Sequence, residues 1–396
     1  MMRLCGLVFF ILISFAAHGT TPKAGVWRFE IRYPNVSIPF LLELEPGRRG
    51  WSGTLINGAE RIPLTEIRVA KGRWIIPLQT YQNHLELDIR SKTTISGHFV
   101  KTAKKPEERI PVYGVHGAFR RFNRASSKPS FDLSGKWSMD ITSADGSKSV
   151  AIALFDQTGT TLKASIMTPT GDYRYIDGVA FGKEFESAAF DGVFNFLFKG
   201  KIEGDVLTGV IASKSTSTFT ARRDPQAALP DPYKQTTVET INFTFPDPET
   251  GKNVSLSDPA YLGKPVVIQI FGSWCPNCID ELAFLAPWYE ANKSRGIEVV
   301  ALSFERAPTA NEARLHLAKV IKKREIPYPV LLAGTSSEDT PNIKLGIKNF
   351  SSFPTTIFLN KKHEVYKVHT GFNGPSTGTY YEEFRKSFNA TVNELL

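Results

Sequence analysis

The chain of 396 residues is long enough for two or three domains, each with its own core. Its 48 Lys and Arg against 39 Asp and Glu give a formal charge of +9, and the excess lies wholly before Thr237, because 17 basic and 17 acidic side chains cancel from there onward. No arginine-rich helix or RNA-binding signature accompanies the basic half. That excludes a nucleic-acid reader and leaves a solvated basic surface, or attraction to an anionic envelope surface or an acidic partner.

Residues 1–19 read as a signal peptide. Arg3 is the basic residue, Leu7–Ala17 the apolar core, and Ala17-His18-Gly19 offers small residues at the cleavage positions. The apolar run is too short for a comfortable membrane span, and an uncleaved anchor is the competing reading. Cleavage removes Cys5 and leaves two cysteines, which suits an exported chain in an oxidising compartment.

Residues 24–125 and 130–224 each alternate apolar and polar residues in short runs broken by turns, the pattern of an antiparallel barrel or sandwich. The second stretch repeats the first. Gly25-Val26-Trp27 returns as Gly135-Lys136-Trp137, Phe40–Leu44 as Val150–Leu154, and Leu85–Ile89 as Phe194–Phe198. Ile95-Ser96-Gly97 matches Leu207-Thr208-Gly209, and each stretch closes on a basic tail, Phe119–Phe122 and Phe219–Arg223. We read one β-module used twice, as paired barrels or one fused structure. His98 and His116 have no ligand pattern around them, and the aromatics read as core. Nothing in either copy forms a nucleophile constellation.

A proline-rich linker, 225–236, leads to residues 237–396, where strands and helices alternate as in an α/β domain. Pro265–Phe271 and Gly296–Ser303 read as buried strands. Leu282–Lys293 reads as a helix interrupted by Pro287, and Asn311–Arg324 as a helix with Leu315, Ala318 and Ile321 on one face.

Between the first strand and the first helix stands Trp274-Cys275-Pro276-Asn277-Cys278. At a helix N-terminus, unpaired N–H groups and the helix dipole favour a thiolate at Cys275, and Cys278 one turn on is placed to resolve a mixed disulfide. Pro276 suits the first helical position. A zinc site lacks its second ligand pair, and a structural disulfide would close a very short loop that constrains the unfolded chain little. The redox-active dithiol is the preferred reading.

The run Val267–Glu281 resembles the thioredoxin fold, and within it the exported TlpA-like redoxins; Phe353-Pro354-Thr355-Thr356-Ile357-Phe358-Leu359 looks like that family's second hallmark. The resemblance covers the chain from about Thr237 and leaves the β-modules unexplained. It implies a cis peptide bond at Pro354, opposite Cys275, and a docking surface shaped by Trp274. It also implies a role for Glu281 in moving a proton to or from Cys278, against the simpler role of a carboxylate in the helix first turn. One departure is Ala283 at the place where many relatives carry a proline. No cofactor or metal is implied.

The leading function is then an exported thiol–disulfide oxidoreductase of a bacterial periplasm or envelope, reducing protein disulfides and re-reduced by a membrane electron donor. A thiol peroxidase would need a hydroxyl where Gly272 stands. The non-enzymatic alternative is a partner- or ligand-binding β-protein whose redoxin domain is a structural or redox-sensing module. Substrate, donor and direction of electron flow stay open.

Overall fold

The computed structural model describes residues 21–48, 50–70, 72–78, 83–102, 106–117, 120–122, 127–307, 309–335 and 340–396. The signal-like segment, Cys5 and Phe119 lie outside the described residues. Among the described residues no helix is long and apolar enough to cross a membrane.

The two β-units share one plan. In the first, Gly25–Tyr33 pairs with Val36–Gly47 and Glu108–His116; in the second, Gly135–Thr142 pairs with Lys148–Thr158 and Thr216–Arg223. Among the described residues each unit places nine strands in its sheet. Each also opens on the same buried tryptophan. The indole of Trp27 donates to Lys23 O at 3.0 Å and that of Trp137 to Leu133 O at 2.8 Å. The rings are flanked by His116, 5.3 Å between centroids, and by the Arg223 guanidinium, 4.7 Å from the ring centre. Pairing of His116 with Trp27 and of Arg223 with Trp137 makes Val115-His116 the counterpart of Arg222-Arg223. The basic tail read at Phe119–Phe122 is therefore not its equivalent, since it follows the last strand of its unit.

The second unit closes. Thr161–Thr168 pairs with both Lys148–Thr158 and Ile176–Phe181, completing a ring of eight strands, so a barrel rather than a sandwich forms. The first unit stays open as a half-barrel. Its exposed core is completed by Ala188, Phe190 and Leu197 of the second unit, with the Phe190 ring 4.4 Å from Phe40 and 5.3 Å from Phe99.

The proline-rich segment after the barrel is docked rather than free. Ala227 is buried, Lys136 Nζ donates to its carbonyl at 2.8 Å, and Pro232 O accepts from Thr370 N at 3.0 Å.

The C-terminal part is a five-stranded sheet in the order Val330–Gly334, Glu298–Phe304, Val266–Phe271, Thr355–Leu359, Val365–Thr370. The first three strands run parallel and the last two antiparallel, with helices against the sheet. Period-two alternation sends Val267 and Phe271 into one core, and Val266, Ile268 and Ile270 into the other. This is a thioredoxin-like arrangement. Two sequence expectations are corrected. The helix Pro276–Asn292 runs through Pro287 without interruption. Along Ala310–Arg324 the buried face is Ala313, Leu317 and Val320, whereas Leu315 is 47% exposed.

Because Phe190 fills the half-barrel's core from the neighbouring unit, Phe190→Ala should cost about 3–5 kcal/mol and shift urea unfolding of both β-units together. A loss under about 1 kcal/mol would mean that the half-barrel buries its core without help.

Candidate active site

The dithiol sits where the central strand Val266–Phe271 turns into the helix Pro276–Asn292. Cys275 is the helix N-cap, in extended conformation, and its Sγ accepts from Cys278 N at 3.3 Å. A sulfur in that position receives one of the helix's unpaired N–H groups and faces the positive end of its dipole. Both cysteines are free thiols. Cys275 retains 6% exposure and Cys278 none, so the Cys275 sulfur is the more accessible of the two. Burial, then hydrogen bonding to Cys275 and its charge, pushes the Cys278 thiol up.

The Phe353–Pro354 peptide is cis, and Cys275 Sγ lies 3.6 Å from Phe353 O. Trp274 is half-buried. Its indole N–H donates to Phe304 O at 2.9 Å, its ring meets Phe353 edge-on at 5.4 Å, and the exposed Arg306 guanidinium lies 3.3 Å from its centre. Gly272 makes this seat available, because a Cβ there would fall 2.3 Å from the indole nitrogen. No hydroxyl-bearing side chain fits at that position without displacing Trp274.

Glu281 is fully buried beneath the sheet rather than in the helix first turn. Thr356 Oγ1 donates to one carboxyl oxygen at 2.7 Å and Gln269 Nε2 to the other at 2.7 Å. Burial dominates those two bonds and pushes the carboxyl up to about 7. Gln269 Oε1 has no partner, so rotating that amide would let it accept from the protonated carboxyl. The group therefore holds its proton to higher pH than an ordinary glutamate.

Sequence reasoning missed three features. Glu305 is buried and ties the strand end to the dithiol loop, accepting from Ser273 N at 3.0 Å, from Ser273 Oγ at 2.6 Å and from Ser303 Oγ. Asp280 on the dithiol helix lies 2.9 Å from Arg174 Nε of the barrel, and Arg174 also reaches Glu60 of the half-barrel at 2.6 Å and Asp191 at 2.8 Å. Asp172 is buried, and burial followed by the Asp280 charge pushes its carboxyl up to about 6. Only the chemical type of each residue was visible beforehand. Among the described residues no cluster suits a metal ion.

Comparison with known proteins finds similarity in the C-terminal part of the chain. Residues 236–383 match the Redoxin family model. The chain is 32% identical over 130 residues to the thiol-disulfide oxidoreductase ResA of Bacillus subtilis, covering 33% of this chain and 64% of that protein. It is 28% identical over 134 residues to ResA of Halalkalibacterium halodurans, covering 34% and 67% respectively. The chain therefore spans about two thirds of the length of these relatives. A thioredoxin family protein from Chlorobium tepidum, described as a thiol:disulfide interchange protein, superposes with a TM-score of 0.30 at 20% identity, over 40% of this chain and 95% of its own.

The Glu281 carboxyl gives a pH test. Its folded value of about 7 stands above the unbound value of 4.5. The stability it contributes is full below the unfolded value and is lost as pH rises through the folded one. Glu281→Gln should remove that loss, so the reduced variant gains about 3 kcal/mol relative to the parent between acid and mildly alkaline pH. Urea midpoints measured across that range check it. Parallel curves for the two proteins would mean the buried carboxyl does not titrate there.

Proposed function

We propose that this chain, whose residues 236–383 form a Redoxin domain, is an exported thiol–disulfide oxidoreductase that reduces disulfides of envelope proteins. The observation that carries the reading is the placement of Cys275 Sγ. It caps the helix with Cys278 N at 3.3 Å, stands 3.6 Å from the carbonyl before Pro354, and keeps Cys278 buried behind it.

In the forward direction the Cys275 thiolate attacks one sulfur of a substrate disulfide. That S–S bond breaks, and the other substrate sulfur leaves as a thiolate that takes a proton from water. Cys278 gives its proton to the Glu281 carboxylate and attacks the Cys275 sulfur, expelling the second substrate thiolate. The substrate gains two electrons, and the protein is left with a Cys275–Cys278 disulfide. A membrane electron donor then returns two electrons. Trp274 and Pro354 border the sulfur and shape the surface on which the substrate segment lies. The lack of room for a hydroxyl at Gly272 disfavours a peroxidase pocket.

Export rests on the signal-like residues 1–19 and on the pairing of just two cysteines in the rest of the chain. The basic N-terminal half adds attraction to an anionic envelope surface.

The test is trapping. Cys278→Ser should accumulate mixed disulfides through Cys275, resolved on non-reducing gels, and Cys275→Ser should accumulate none. A Cys275→Ser chain with full biological activity would replace this reading by a structural or sensing role. The reduction potential gives the direction: we expect a value near about −270 mV, as for a reductant, and a value near about −120 mV would reverse the electron flow.

A further inference from the structure

Three segments build the surface at Cys275: the start of its own helix, the loop before Pro354 whose Phe353 O lies 3.6 Å from the sulfur, and the turn at Gly371, tied to that loop by its N–H donating to Pro354 O at 2.9 Å. A substrate disulfide must approach across these segments. The barrel reaches all three with one hairpin tip, in which Thr168 pairs with Gly171 across Pro169-Thr170. Asn277 Nδ2, from between the two cysteines, donates to Asp172 O at 3.0 Å. Ser352 Oγ donates to Thr170 O at 3.1 Å and also lies 3.1 Å from Phe353 O, the carbonyl that faces Cys275. A Cβ on Gly371 would stand 3.0 Å from Pro169 O.

The fit is close and anchored. Gly171 has φ +142°, and a Cβ on it would come within 2.8 Å of the Asn277 amide carbon, so the tip and the dithiol turn leave no room for a side chain between them. Asp172 is fixed by Gly374 N at 2.5 Å and Ser376 Oγ at 3.2 Å. Asn277, between the two cysteines, and Ser352, beside Phe353, are 7% and 8% exposed. The rim away from the hairpin is Trp274, Phe353 and the exposed Arg306.

We propose that the hairpin tip Thr168–Asp172 is the substrate-selecting wall of the dithiol site, admitting disulfides carried on a short or extended peptide and turning away those set in a folded surface. The inference rests on the oxidoreductase reading and supplies its substrate class. An extended segment enters along the Trp274–Phe353 rim. A folded protein presents a convex face that meets the barrel before its disulfide reaches Cys275.

The experiment separates size from reactivity. In the full-length Cys278→Ser background, Cys275 is alkylated by iodoacetamide and by an iodoacetamide linked to a long polymer, and the ratio of rates is taken, so that changes in thiol reactivity cancel. The parent should disfavour the polymer reagent by about tenfold or more, and Gly171→Val, which wedges the tip away, should bring the ratio within about twofold of a free cysteine peptide. Asn277→Ala removes the hydrogen bond without a bulky side chain and should move the ratio the same way, so it decides if Gly171→Val misfolds. A parent ratio like that of the free peptide, or a ratio unmoved by both variants, overturns the wall. Turnover of a cystine peptide by the otherwise unaltered chain tests the oxidoreductase reading separately. If the peptide is not reduced while the ratio behaves as expected, the hairpin shields the thiol but selects no substrate, and the proposal falls with that reading.

Discussion

One guanidinium joins the three parts of this chain. Arg174 belongs to the barrel, yet it lies 2.6 Å from Glu60 of the half-barrel and 2.9 Å from Asp280 of the dithiol helix, with Asp191 of its own unit at 2.8 Å. It adopts φ 58°, a left-handed conformation that L residues with side chains rarely take and that persists only where the surroundings over-determine it. Asp172, two residues earlier, contributes by accepting from Arg174 N at 2.5 Å. Three carboxyls thus share one cation, and a fourth holds its backbone. Burial raises the proton affinity of Glu60, Asp172 and Asp280 above that of an ordinary carboxylate. Such a cluster is weak evidence for extra stability, but removing the Arg174 guanidinium would take away the cation that contacts Glu60, Asp191 and Asp280. Its consequence is geometric: the units cannot shift independently while it is intact.

That fixed geometry converges on the first turns of the dithiol helix. Asp280 and Glu281 are neighbours in sequence and point to opposite tasks. Asp280 faces the barrel and holds the helix against it, while Glu281 faces the sheet and meets Thr356 and Gln269. The loop before the helix is held from a third direction by Glu305, through Ser273. The thiol that caps the helix therefore sits on a frame set by buried polar contacts rather than by its own loop. Preorganisation of this kind is what lets a reactive group wait in place without reorganising when substrate arrives.

Much of this was legible in the sequence where the signal is local. The apolar run before Cys275, the cysteine spacing and Pro276 at the helix start are neighbours in the chain, and they read as strand, turn and helix. The echo of Gly25-Val26-Trp27 in Gly135-Lys136-Trp137 marked the repeated unit, because a tryptophan bonding four residues back needs the same local chain in both copies. What failed was register and long range. In the helix Ala310–Arg324, Leu315 looks like a core residue by type, but the stripe through Ala313, Leu317 and Val320 wins because it faces the sheet. Arg174 meets Glu60 and Asp280 across 114 and 106 residues of chain, and no periodicity or spacing links an arginine to carboxylates it reaches only after folding.

The duplication extends to how the units are joined. Each copy carries a two-residue hairpin, Gly58-Ala59 between paired Asn57 and Glu60 in the first, Pro169-Thr170 between paired Thr168 and Gly171 in the second. Each tip docks onto the next unit along the chain. In the first, Asn57 Oδ1 accepts from Phe190 N at 3.0 Å and a Cβ on Gly58 would touch Tyr175 at 3.3 Å; in the second, the tip meets Asn277, Ser352 and Gly371. The half-barrel thus grips the barrel much as the barrel grips the redoxin domain. A structural device for joining repeats, applied once more at the C-terminal end of the array, comes to rest beside the reactive sulfur, and the last joint of the scaffold becomes a side of the site.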